Sequence, residues 1–233
     1  MTSTRDVVLR HVADLVPSPV VLGRPVRVAV DGVDGAGKTT LADDLAAVLR
    51  ARGASVVRAS VDGFHHPRAV RHRRGGTSPE GFFHDSYDLG TFRTVLLDPL
   101  AADHAGPRRV RTAVHDLATD ADPGLPWLDV DEDAALVVDG IFLQRDELAG
   151  AWDLAVWVDA PFEVTFARMA VRDGCPPDPA DPANARYVEG QRLYLRACDP
   201  VGRADVVVDN ADPAHPVVRR PDGAGASGRP TGS

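Results

Sequence analysis

Val26, Val28 and Val30 alternate with Arg27, Ala29 and Asp31, and the run stops at Gly32. A period of two that ends at glycine predicts a strand followed by a turn. The pattern then changes. In "KTTLADDLAAVLRARG" the residues Leu41, Leu45, Val48 and Leu49 fall on one helical face, and Gly53 stands where a C-cap is expected. "ASVVRASVDGF" returns to strand spacing and ends at Asp62, and "DLGTFRTVLLDPL" predicts a helix up to Pro99. The apolar runs "ALVVDGIFL" and "WDLAVWVDA" have strand length. "PFEVTFARMAVRD" opens with a proline suited to a first helical turn, "NARYVEGQRLYLRACD" predicts another helix, and "ADVVVDN" a last strand. Strands alternating with helices imply an α/β fold with a mostly parallel sheet and helices on both faces.

The ends differ from this body. Val7, Val8, Leu9, Val12, Leu15 and Val16 predict an amphipathic helix within residues 1–20, without the apolar run of a signal peptide. The main domain is expected over 21–218, and the Gly- and Pro-rich stretch 219–233 reads as a disordered tail.

Composition narrows the partners. The chain has 233 residues, 44% of them hydrophobic, enough for a sizeable core, and its net charge is −8. An acidic chain lacks the broad basic face that nucleic acid needs, and no apolar run reaches the length of a membrane span. Cys175 and Cys198 form no CxxC pair and read as ordinary thiols of a reducing cytoplasm. A homo-oligomer is compatible with all of this.

The chemistry starts at the first turn. Gly32, Val33, Asp34, Gly35, Ala36, Gly37, Lys38 and Thr39 match G-x-x-x-x-G-K-[ST], and Thr40 follows. The match lies between a predicted strand and a predicted helix, the context in which such a loop turns its backbone N–H groups around phosphates. Lys38 reaches the β- and γ-phosphates and Thr39 offers a hydroxyl to Mg²⁺, so ATP and Mg²⁺ are the expected ligands. Asp34 sets an acid inside this loop and needs a compensating cation. Asp31, Asp62 and Asp139 end predicted strands, where open α/β sheets form their ligand crevice. Asp31 reads as a turn cap. Asp62 or Asp139 could take a proton from an attacking hydroxyl, and either could hold Mg²⁺.

"GVDGAGKTT", "SVDGF", "VVDGIF" and "RADVVVDN", in this order over residues 25–212, resemble the uridine kinase branch of P-loop kinases, which also includes phosphoribulokinase and pantothenate kinase. The resemblance implies a P-loop NTPase three-layer α/β/α fold with a small hairpin and a lid. It implies an ATP-dependent kinase for a small-molecule hydroxyl, foremost the 5′-hydroxyl of uridine or cytidine. It makes Asp62 the catalytic base and Asp139 a support for Mg²⁺, and puts Phe64 beside the acceptor. "GFFHDSYD" would bind the acceptor through His84, Asp85 and Tyr87, although Phe83 stands where the family has its ribose-binding aspartate. "RTAVHDLATD" would hold the base, with His115 in place of a tyrosine and Asp120 in place of a histidine. Arg168 and Arg172 would close a lid over the phosphates. The loop also resembles that of thymidylate kinases, so a nucleoside monophosphate kinase stands as an alternative. A kinase for a non-nucleoside alcohol and a regulatory ATPase are two more. The run "HHPRAVRHRRGG" is either an electropositive flap over the acceptor or a solvated loop whose arginines pair with carboxylates.

Overall fold

The computed structural model describes residues 4–219. Helix α1 (Thr4–Leu15) and the single turn α2 (Pro19–Leu22) precede β1 (Val26–Gly32), α3 (Lys38–Ala51) and β2 (Val56–Ser60). Three short helices follow: α4 (Arg68–Arg71), α5 (Pro79–Asp85) and α6 (Leu89–Phe92). The two-residue strands β3 (Arg109–Val110) and β4 (Leu128–Asp129) come next, then β5 (Ala135–Gly140) and β6 (Leu154–Asp159). The chain finishes with α7 (Phe162–Asp173), α8 (Ala185–Cys198), α9 (Pro200–Arg203), β7 (Val206–Asp209) and β8 (Val217–Arg219).

The main sheet has the order β2-β5-β1-β6-β7-β8, with β8 antiparallel at the edge and every other pairing parallel. β1 lies in the interior between β5 and β6, which explains why all seven of its residues are buried despite their alternating character. From β1 the chain crosses in one direction to β2, and from β6 in the other direction to β7. Right-handed crossovers in opposite directions place their helices on opposite faces, giving three layers. α3 packs on β1, β2 and β5, and α1 packs on α3 through Val8, Leu9 and Val12. Burying each such side chain contributes about 1.5–3 kcal/mol, so α1 is part of the body. On the other face α8 brings the Tyr194 ring to 6.4 Å from that of Trp157 on β6.

Three elements depart from expectation. The second strand ends at Ser60, two residues early, because the Ser60 side chain accepts from the Asp62 backbone N–H and starts a 3₁₀ turn over Val61–Phe64. The helix expected up to Pro99 is α-helical only to Phe92, then π-helical over Arg93–Leu97 and 3₁₀ over Asp98–Leu100. The Asp98 N–H reaches back five residues to the Arg93 carbonyl, and Pro99 has no N–H to continue the ladder. The expected hairpin has a stem of only two residue pairs, β3 with β4, and 111–120 lies in its long connection. Apart from Arg219 in β8, the tail expected over 219–233 lies outside the described residues. Among the described residues no helix is long and apolar enough to cross a membrane.

Candidate active site

The phosphate loop is the turn from β1 into α3, and its shape is fixed by neighbours distant in sequence. Gly35 has φ of 73°, and a Cβ there would sit 2.6 Å from the carbonyl oxygen of Thr165 on α7. Gly37 has φ of 97°, and its Cβ would meet Asn210 Nδ2 at 2.6 Å. Only glycine tolerates both the left-handed backbone and these approaches. Asn210 Nδ2 donates to the Ala36 carbonyl at 2.7 Å, and the Asp34 backbone N–H donates to Gln191 Oε1 at 2.6 Å. Arg168 donates to the carbonyls of Asn210 at 2.8 Å and Ala211 at 2.9 Å, and to that of Gly35 at 3.4 Å. Gln191 carries no motif in the sequence, and Asn210 closes the "RADVVVDN" run with no role assigned to it there. Their only signal is a polar residue at the end of a strand or on the inner face of a helix.

Lys38 opens α3, and its buried ammonium donates to the Val33 carbonyl at 2.8 Å. Burial pushes the Asp34 carboxyl up, and the charge of Lys38 pulls it back down. Thr39 Oγ1 donates to Asp139 Oδ2 at 2.6 Å. The sheet register makes that pairing: β5 runs beside β1, with Asp139 level with Val30. Asp139 is buried, and its second oxygen accepts from Arg58 at 2.9 Å. A hydroxyl and a carboxylate side by side at the loop are hard oxygen donors of the kind Mg²⁺ takes while keeping waters and phosphate oxygens in its shell.

Asp62 faces this pair across one cavity, lined also by Lys38, Arg168 and Arg172. Its side chain is 64% exposed, open to an incoming molecule. Tyr87 Oη donates to Asp62 Oδ1 at 2.9 Å. Burial, then the charges of Asp62 and Asp34, drive the Tyr87 phenol well up, so it stays a donor. His65 lies against Tyr87 with ring centroids 4.3 Å apart, and burial lowers its pKa, disfavouring the charged imidazolium. Arg172 pairs with Asp173 at 2.7 Å at the exposed end of α7.

The acceptor side is less uniform. Phe64 corrects the expectation: its ring is fully buried, edge-on to Phe92 at 4.9 Å, and forms core behind the Asp62 turn. His84 is exposed and, like Asp85, does not line the cavity. Asp85 lies under the arginine-rich segment, its oxygens held by Arg73 and by Arg74 at 2.8 Å, and the two cations keep its carboxyl below the usual range against the opposing effect of burial. Phe83 packs against Phe142, and the guanidinium of Arg145 stacks over it at 4.6 Å. His115 and Asp120 come together at 3.2 Å, and the His115 backbone N–H bonds the Gly63 carbonyl at 3.0 Å, next to Asp62. Asp120 also accepts from the Arg68 backbone N–H and lies 3.7 Å from Arg71. The arginines of 68–74 are thus largely paired with carboxylates.

A glycine-rich loop on a central parallel strand, with Asp139 one residue before the end of the neighbouring β5, gives the α/β fold of P-loop kinases. The fold is similar to a possible uridine kinase of Bacillus stearothermophilus at TM-score 0.64 and 24% identity, over 88% of this chain and 96% of that one. It is similar to phosphoribulokinase of Rhodobacter spheroides at TM-score 0.56 and 17% identity, over 87% and 82% of the two chains. A D-glycerate 3-kinase of Cryptococcus neoformans aligns at TM-score 0.50 and 12% identity, over 82% and 88%. No protein-family model matches the chain, and no curated protein sequence matches it.

Proposed function

We propose that this chain is an ATP- and Mg²⁺-dependent kinase that phosphorylates a hydroxyl of a small molecule. The observation that carries the reading is the Thr39–Asp139 pair at 2.6 Å beside Lys38, with the exposed carboxylate of Asp62 lining the same cavity. Mg²⁺, when bound, offsets phosphate charge. Lys38 and the loop amides hold the β- and γ-phosphates, and Thr39 and Asp139 hold the ion. Asp62 takes the proton as the hydroxyl oxygen bonds the γ-phosphorus, while the bond to the β–γ bridging oxygen breaks and ADP leaves. Tyr87 fixes the Asp62 rotamer. Arg172, anchored only at the rim, closes toward the transferring group, and Arg168 keeps the loop in shape.

The acceptor we favour is nucleoside-like, uridine or cytidine, with His115 and Asp120 near its base. The bond from the His115 backbone to Gly63, adjacent to Asp62, and the contact of Asp120 with His115 support this. A non-nucleoside alcohol is the second reading, favoured by the full engagement of Asp85 with two arginines, which leaves it no free oxygen for ribose. The test is ADP release with ATP and Mg²⁺ across nucleosides, nucleotides, pantothenate and small polyols. One acceptor should raise turnover by about 100-fold or more over hydrolysis, given the usual worth of a positioned base. ADP release that no acceptor stimulates would replace the kinase by a regulatory ATPase.

A further inference from the structure

Arg27 is the second residue of β1, at the end of that strand opposite the phosphate loop. A guanidinium is unexpected there. The residue is 9% exposed, and its Nε is buried without a hydrogen-bond partner. Among the described residues its side chain donates no hydrogen bond; only its backbone N–H does, to Asp153. Asp153 is the nearest carboxylate, 3.9 Å away. Both of its oxygens are already taken by Arg24, at 2.8 and 2.6 Å. Arg27 therefore has only a long ion pair, to a carboxylate that Arg24 already holds at hydrogen-bond distance. Burial and the neighbouring charge of Arg24 push its pKa down, in keeping with that weak pairing. A buried cation is unfavourable unless an anion answers it.

The side chain borders a cavity of about 510 Å³ at the N-terminal edge of the sheet, the size of a small-molecule site. Arg93 lines the same cavity, and one of its N–H groups is spent on the Glu147 carbonyl at 2.9 Å. His104 lines it too, its Nε2 lying 3.4 Å from the Pro107 carbonyl. The acids present are Asp98, 3.5 Å from Arg93, and Asp103; both are exposed. Neither forms an ion pair with Arg27, whose only carboxylate within that range among the described residues is the shared Asp153. Two guanidiniums facing one cavity suit the paired oxygens of a phosphate group.

We propose that the cavity between Arg27 and Arg93 binds the phosphate group of a small anion, free or esterified, at a site separate from the phosphate loop. The rim acids would favour an ester that carries hydroxyls. β1 joins the two sites, with Arg27 near one end and Gly32 at the other.

The probe is radiolabelled inorganic phosphate in equilibrium dialysis, at constant ionic strength set with sodium chloride. Lys38→Ala weakens the phosphate loop and leaves the second site. In that background one equivalent of phosphate should still bind. Adding Arg27→Gln should weaken it about tenfold or more, the worth of a charge-assisted contact. Adding Arg93→Gln should weaken it in the same sense, and this half-buried position decides the matter if circular dichroism shows that Arg27→Gln misfolds. Competition by glycerol 3-phosphate at lower concentration than phosphate identifies an ester as the ligand, and weaker competition identifies phosphate itself. Absence of millimolar phosphate binding in Lys38→Ala, or binding indifferent to both arginine variants, overturns the proposal.

Discussion

At Asp62 the roles of base and metal ligand can be separated by experiment. Asp62→Asn keeps an oxygen but cannot take a proton, so kcat should fall about 10²–10⁴-fold with little change in ATP affinity. Asp139→Asn disturbs the partner of Thr39, and its defect should be relieved in part by raised Mg²⁺, because mass action restores a weakened binding step. The measurement is kcat against Mg²⁺ concentration for both; rescue of Asp62→Asn alone reverses the assignment. Tyr87→Phe removes the one hydroxyl that steadies Asp62, and kcat should drop about tenfold at unchanged KM for ATP, as expected for the loss of one hydrogen bond of about 1.4 kcal/mol. Equal loss in KM would make Tyr87 an acceptor contact. The carboxylates and the loop could be read in the sequence because each follows a strand or sits in a contiguous motif. Tyr87 could be placed near the acceptor but not against Asp62, since that bond closes 25 residues of chain. The expectation for Phe64 fails for a related reason: the residue after Asp-Gly shares a turn with Asp62, yet the 3₁₀ twist carries its ring inward.

Elements hold the loop more than its own glycines do. α7 presses on Gly35, and Asn210, the residue after β7, bonds Ala36, so the loop is braced from the far half of the sheet. Gly35→Ala would add a Cβ 2.6 Å from a backbone oxygen at a left-handed position. We expect a loss of about 1–3 kcal/mol in urea unfolding, together with weaker ATP binding. Unchanged stability would mean that α7 yields freely. Sequence periodicity revealed the existence of these helices and strands because their burial repeats every two or three to four residues. It did not reveal the π-helical stretch 93–97, nor β8, whose three residues carry too little pattern to stand out. The bracing of one element by another is invisible to periodicity, which sees neighbours along the chain and not across the sheet.

At the scale of the whole molecule, three distant segments meet on Asp31. Its Oδ1 accepts from the Gly32 N–H at 2.8 Å, and its Oδ2 accepts from the Gln144 N–H at 3.2 Å and from the hydroxyl of Tyr194 on α8. The sequence suggested a local turn cap, which the bond to Gly32 fulfils, but the carboxyl also ties β1 to α8 and to the segment after β5. Burial raises its pKa to about 6, against the downward pull of the donors around it. The sign follows from which state binds the proton more tightly. The folded chain holds it up to about pH 6, whereas the unfolded chain releases it near 3.8. This group's contribution is therefore fully present below the unfolded value and is lost as pH rises through the folded one, because the native chain must then carry a buried charge. The span of about two pKa units corresponds to about 3 kcal/mol. Asp31→Asn carries no titrating proton, and its amide can donate to the Tyr194 oxygen, so the interior link survives. Its offset from the native chain at one pH depends on how the amide fits; the pH dependence of that offset does not. Between pH 4 and 6 the unfolding free energy of Asp31→Asn should rise relative to the native chain by about 2 kcal/mol, the part of that span that falls in this window, and level off above about pH 7. Urea unfolding at each pH measures it. A difference constant over pH 4–6 would mean that Asp31 is already ionised at the lowest pH, with the donors around it outweighing its burial.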